Sequence, residues 1–122
     1  MSEEKTDFKK EFINRLIDYS VRHVEFFEGL REAKTPYPLC DQLLRAATSI
    51  GANVVEAKSS HSKKDYIKYF EIALKSANET KYWLIVVKRT KKSNKEANDL
   101  LSEAEEIANI LASSIMTMKN NK

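Results

Sequence analysis

Two glycines, two prolines and one cysteine are all that the 122 residues contain. An antiparallel sheet needs turn residues about every ten positions, so this shortage of punctuation excludes an all-β fold and favours long helices. Gly29 and Gly51 stand far apart, which leaves no glycine-rich loop to cradle a phosphate. Cys40 has no partner for an internal disulfide, as suits a reducing compartment. The longest apolar run, Tyr82–Val87, has six residues, against roughly 18 for a membrane span. The first residues, MSEEKTDFKKEFINRL, are charged and hold no apolar signal core. The expectation is a soluble cytoplasmic protein with no membrane partner.

Histidine is as scarce as glycine. A di-iron bundle needs Glu-x-x-His on two helices, but Ser20 stands three residues before His23 and Lys58 three before His61. Two histidines and one cysteine on separate segments also give no zinc or haem ligand spacing. His23 falls on an apolar stripe, where packing is the simpler role, and His61 in a turn open to solvent. Cys40 has no histidine near it in sequence and suits packing better than nucleophilic attack. No catalytic residue, metal ligand or cofactor site is expected, and the chain is read as a non-enzyme.

What is abundant is helical periodicity. At 42% hydrophobic residues the chain can bury a core of domain size. Phe8, Phe12, Leu16, Tyr19, His23, Phe27 and Leu30 step by three and four along helix 1, expected at about 8–31. Pro36 and Pro38 interrupt it, and Pro38 fits the first turn of helix 2, about 38–59, with stripe Leu39, Leu43, Ala46, Ile50, Val54 and Ala57. Ser62, with Asp65 three residues on, caps helix 3, about 63–91, whose stripe is Tyr66, Phe70, Ala73, Ala77, Thr80, Leu84 and Val87. Ser93 and Glu96 form a second capping box for helix 4, about 94–119, with Ala97, Leu100, Ala104, Ile107, Leu111, Ile115 and Met118. Four helices of similar length with short loops predict an all-α, antiparallel up-down-up-down four-helix bundle, one domain over 1–122.

Helices 2 and 3 carry more apolar surface than one core uses. Tyr69, Ile72, Trp83 and Val86 lie outside the main stripe of helix 3, with Ile67, Leu74 and Ile85; Cys40, Leu44, Ala47 and Val55 do so on helix 2. Such a surplus marks an interface, here expected between copies of the chain. Gln42, Arg45, Ser49, Asn53 and Glu56 line another face of helix 2, opposite Ser76 and Glu79 on helix 3. An Arg–Glu pair across that seam, completed by amides and hydroxyls, is expected to fix register rather than perform chemistry.

The net charge of +3 is unevenly spread: residues 58–95 hold eleven Lys and Arg against three acids, and residues 96–122 two against five. Lys88, Arg89, Lys91, Lys92 and Lys95 cluster between helices 3 and 4, on the same end as Arg31 and Lys34. Lys58, Lys63, Lys64 and Lys68 fall at the opposite end with Lys9, Lys10 and Lys119. Lys63, Lys64, Lys88, Arg89, Lys91, Lys92 and Lys95 are the candidate polyanion-binding residues, and RNA or DNA is the candidate ligand. No aromatic interleaves 88–95, so base-specific recognition is not expected there.

The text Asp41-Gln42-Leu43-x-Arg45-Ala46-Ala47-x-Ser49-Ile50-x-Ala52-Asn53-x-x-Glu56, followed by Ser62-Lys63-Lys64-Asp65-Tyr66 and Ile72-Ala73-Leu74-x-Ser76-Ala77-Asn78-Glu79-Thr80, resembles a known family. It is similar to the bacterial four-helix bundle proteins found in intervening sequences of large-subunit ribosomal RNA genes. The resemblance covers most of the chain and implies a homo-oligomer, specifically a homopentamer of up-down bundles. A relative is the accessory protein of diversity-generating retroelements, which binds a reverse transcriptase and nucleic acid. The resulting expectation is a non-enzymatic oligomeric scaffold or accessory protein that binds nucleic acid without sequence preference. The alternative is a pure protein-interaction module docking a partner such as a reverse transcriptase.

Overall fold

The computed structural model describes residues 3–90 and 95–121, with side chains described from Asp7 onward. Four helices follow in order: α1 (Glu3–Glu32), α2 (Tyr37–Ala57), α3 (Lys63–Thr90) and α4 (Lys95–Asn120). The connections after α1 and α2 are short, so each helix returns antiparallel to the one before. Each helix packs on its neighbour in sequence, and α1 meets α4 to complete the ring. The fold is an all-α four-helix bundle.

The buried positions explain the geometry. On α1 they are Phe12, Leu16, Tyr19, His23, Phe26 and Leu30; on α2, Cys40, Leu43, Ala47, Ile50, Val54 and Ala57. On α3 they are Phe70, Ala73, Ala77, Thr80, Leu84 and Val87; on α4, Ala97, Leu100, Ala104, Ile107, Leu111 and Ile115. Steps of three and four alternate, with one repeated step of four at the end of α4, in the heptad pattern whose seams pack at about +20°. Each fully buried Leu or Ile contributes about 1.5–3 kcal/mol of transfer free energy.

Helix 1 departs from expectation at Phe27 and at Phe8. Phe26, not Phe27, enters the core. Strict alternation after His23 calls for a step of three, which carries Phe27 to the flank, edge-on to Tyr37 with ring centroids 6.2 Å apart. Phe8, placed on the core stripe by its spacing, is 55% exposed, and Leu39, Tyr66 and Met118 are half-buried.

The α2–α3 seam is lined by small residues, Ala46, Ser49, Ala73, Ser76 and Ala77, which permit close approach of the two helices. Gly51 serves the α1–α2 seam: a Cβ there would lie 3.4 Å from Leu16 Cβ.

The helix ends are tied by backbone chemistry. At the end of α1, the Thr35 N–H donates to the Leu30 carbonyl and the Lys34 N–H to that of Arg31. This is a Schellman motif, with Lys34 at φ 64° in the left-handed position usually given to glycine. Pro36 precedes α2 and Pro38 sits in its first turn, where no N–H is needed. Ser62 Oγ accepts the Asp65 N–H at 3.1 Å and caps α3. The capping box expected at Ser93 begins outside the described residues.

Candidate polyanion-binding surface

The polar stripe of α2 forms a smaller network than its spacing suggests. Ser49 Oγ and Ser76 Oγ meet across the α2–α3 seam at 3.0 Å. Asn53 Nδ2 donates to Ser49 Oγ at 3.0 Å and to the Ser49 carbonyl at 2.8 Å. Thr80 Oγ1 donates to the Ser76 carbonyl one turn back. The expected Arg–Glu pair across the seam does not form. Arg45 instead bonds Asp41 at 2.9 Å, four residues earlier on its own helix, and its side chain is 75% exposed. Arg45 points away from the seam, where Asp41 is one helical turn distant and needs no desolvation. Gln42, Glu56 and Glu79 are exposed. The network is a seam of hydroxyls and one amide, and it carries no buried charge.

An ion-pair seam unremarked in the sequence joins α1 to α4. Arg15 makes a bidentate pair with Glu103, both bonds 2.7 Å, and approaches Glu106 at 3.4 Å. One heptad on, Arg22 faces Glu96 at 3.5 Å. Between them Tyr19 Oη donates to the Leu100 carbonyl at 2.7 Å. The Arg15 hydrogen bonds hold the Glu103 carboxyl below the usual carboxylate range, and burial raises the Tyr19 phenol. The signal was present: two arginines and two glutamates, each seven residues apart, of opposite sign on helices that run antiparallel.

The core also encloses an unpaired histidine. His23 is 1% exposed and neither ring nitrogen has a hydrogen-bond partner. It lies edge-on to Tyr19 and Phe26. Burial, assisted by the Arg22 charge, pushes its pKa down to about 3. Among the described residues no group of three or more His, Cys, Asp or Glu is placed to hold a metal, and no helix is long and apolar enough to cross a membrane.

The candidate cations separate into two ends and a ridge. At one end Lys63 Nζ donates to the Asn121 carbonyl, Lys119 pairs with Glu71 at 3.0 Å, and Lys9 stands 5.4 Å from the centre of the Tyr66 ring. At the other end Arg31 donates to the Thr35 carbonyl at 2.7 Å and lies over Tyr37, so it is occupied in holding the α1–α2 turn. Lys88, Arg89 and Lys95 are exposed there; Lys91 and Lys92 lie outside the described residues.

The structure adds a feature that joins the two ends. Lys64, Lys68, Lys75 and Arg89 are all exposed, and Tyr82, 58% exposed, falls at the open position between the last two. From Lys68 the spacing is seven at each step, so these side chains form one outer ridge of α3, about 38 Å long from Lys64 to Arg89 at 1.5 Å per residue. None of the four cations has an ion-pair partner among the described residues. Lys68 and Lys75 were separable from the general lysine background only by this heptad spacing.

The residues expected at a self-interface are less exposed than their periodicity implies. Tyr69, Trp83 and Val86 are half-buried in the flank of α3, and Ile72 is 36% exposed. More open apolar surface lies elsewhere: Ile17, Val21 and Val24 on the outer side of α1, and Tyr37 and Val55 on α2, are each between 44 and 54% exposed.

A heptad-packed, all-α four-helix bundle with a basic outer ridge defines the class of protein. The chain belongs to the 23S rRNA-intervening sequence protein family, whose model matches residues 9–113. Among solved structures it is similar to a Bacteroides thetaiotaomicron protein of unknown function from the S23 ribosomal protein family, at 34% identity and a TM-score of 0.81. That match covers 85% of this chain and 97% of the other. No curated protein matches the chain.

Proposed function

We propose that the protein is a non-enzymatic, self-associating bundle that acts as a scaffold or accessory factor by binding nucleic acid without sequence preference. The observation that carries this reading is the α3 ridge of Lys64, Lys68, Lys75 and Arg89, exposed and without carboxylate partners among the described residues. A straight row of cations tracks a phosphate backbone and gains affinity by releasing condensed counterions. Tyr82 offers one stacking face within the row, which suits single strands and gives little base discrimination. Lys63, Lys88 and Lys95 extend the row at its two ends. The family's name, 23S rRNA-intervening sequence protein, agrees with an RNA context.

Self-association supports the same reading, because repeated weak ridges gain through avidity. The apolar positions Ile17, Val21 and Val24 on the outer side of α1 supply a surface for copies of the chain to pack. A pentameric ring would repeat each ridge around one axis. The same apolar strip favours a second reading, a module that docks a protein partner and needs no nucleic acid.

Fluorescence anisotropy with a 20-nucleotide single-stranded RNA and a duplex DNA, across a salt series, tests the first reading. Binding should weaken steeply with salt, and Lys68→Glu/Lys75→Glu/Arg89→Glu should abolish it while leaving the helical spectrum intact. Each lost phosphate contact lowers the slope by about 0.7 on single strands. Absence of binding in 50 mM salt overturns the reading. Sedimentation that returns a monomer at micromolar concentration overturns the self-association.

A further inference from the structure

The end of the bundle that holds the α1 N-terminal half and the α4 C-terminus is hollow. A cavity of about 460 Å³ opens there and reaches past half-buried residues to the buried Phe12, Val54 and Phe70. The hollow is a cleft open to solvent on one side, and its volume falls in the range of about 300–1,000 Å³ that ligand pockets span. Its origin lies in the seams. Of the four seams α1–α4 has the least close backbone approach. Below the Arg15–Glu103 pair the two helices present Phe12 and Ile13 on one side and Ser114 and Met118 on the other. Ser114 is smaller than a branched apolar side chain and fills less of the space between the two helices.

The walls and the mouth differ in chemistry. Ile13, Tyr66 and Met118 continue the apolar lining outward from the buried residues. The exposed Lys9 and Lys58 flank the opening, with Ser113 and Thr117 beside them, and among the described residues no carboxylate lines it. Lys9 is held at the rim by the Tyr66 ring face. A largely apolar cleft beside two ammonium groups is complementary to a ligand with one alkyl chain and an anionic head.

We propose that this cavity binds a single-chain anionic amphiphile, of which a medium-chain carboxylate is the simplest form, with its alkyl chain among Phe12, Val54, Phe70 and Met118 and its head between Lys9 and Lys58. The site is separate from the α3 ridge, and the proposal stands or falls independently of nucleic-acid binding.

Titration of the full-length protein with hexanoate, octanoate and decanoate, each below its micelle concentration, tests it by calorimetry and by the NMR shifts of Tyr66 and Phe70. Affinity should rise about fourfold for each buried methylene until the cavity is full. Decyltrimethylammonium should bind at least tenfold more weakly than decanoate. Lys9→Glu/Lys58→Glu changes two exposed side chains and should invert that preference. Ser114→Phe, which fills the cavity from α4, should remove binding of both. No saturable decanoate binding, equal affinity for the two head groups, or an unaltered preference in the charge-reversed variant would each overturn the proposal. Should Ser114→Phe fail to fold, the charge-reversed variant decides alone.

Discussion

Acid should destabilise this bundle through one buried side chain, and the size of the effect follows from its surroundings. His23 is enclosed by Tyr19 and Phe26 with both nitrogens unpartnered, so protonation in the folded state would bury a charge without compensation. Its folded pKa is pushed down to about 3 from the ordinary 6.5. Between those values the unfolded chain binds one more proton than the folded one. The His23 contribution to stability is therefore complete above about pH 6.5 and falls as pH is lowered toward 3. At about 1.4 kcal/mol for each pH unit, the loss attributable to His23 between pH 7 and pH 5 is about 2 kcal/mol. Urea unfolding followed by circular dichroism, on the wild type and on His23→Phe at both pH values, isolates the term. Carboxylate titrations are common to the two proteins and cancel in the difference. The variant should gain about 2 kcal/mol on the wild type when the pH drops from 7 to 5. A difference that stays constant between those pH values would refute the argument, whatever the absolute stabilities.

Three further experiments test the helix ends and seams, each by thermal and urea unfolding. Gly51→Ala should stabilise by about 0.5–1 kcal/mol, because the added methyl meets Leu16 Cβ at 3.4 Å, the near edge of ordinary contact; destabilisation would mean that the α1–α2 seam cannot yield. Lys34→Gly should raise the melting temperature by several degrees, since it removes the left-handed strain of about 1 kcal/mol at φ 64°; an unchanged or lower value would show that the Schellman turn carries no such cost. A double-mutant cycle on Arg15→Met and Glu103→Gln should give a coupling of about 1 kcal/mol that shrinks in 1 M salt, and no coupling would reduce the bidentate pair to a surface contact.

Much of the architecture was legible in the residues alone. Alternating steps of three and four from Leu43 to Ala57, and from Ala97 to Ile115, specify amphipathic helices, because burial follows helical period directly. The prolines and Ser62 mark helix ends through rules that operate within one turn. Composition alone excluded a sheet, since so few glycines and prolines cannot turn a chain often enough.

What tertiary structure decided were relations between residues far apart in the chain. Whether Phe26 or Phe27 enters the core depends on the heptad phase set by neighbouring helices, not on local hydrophobicity. Arg45 could reach toward α3 or back to Asp41, and only the rotation of α2 about its axis selects Asp41. The Arg15–Glu103 register, the ridge from Lys64 to Arg89 and the cavity beneath the α1–α4 seam likewise arise from helix spacing and rotation. A linear sequence specifies each helix's own faces through local sterics and periodicity, but which faces meet, and where a gap remains between them, is settled by packing the four helices at once.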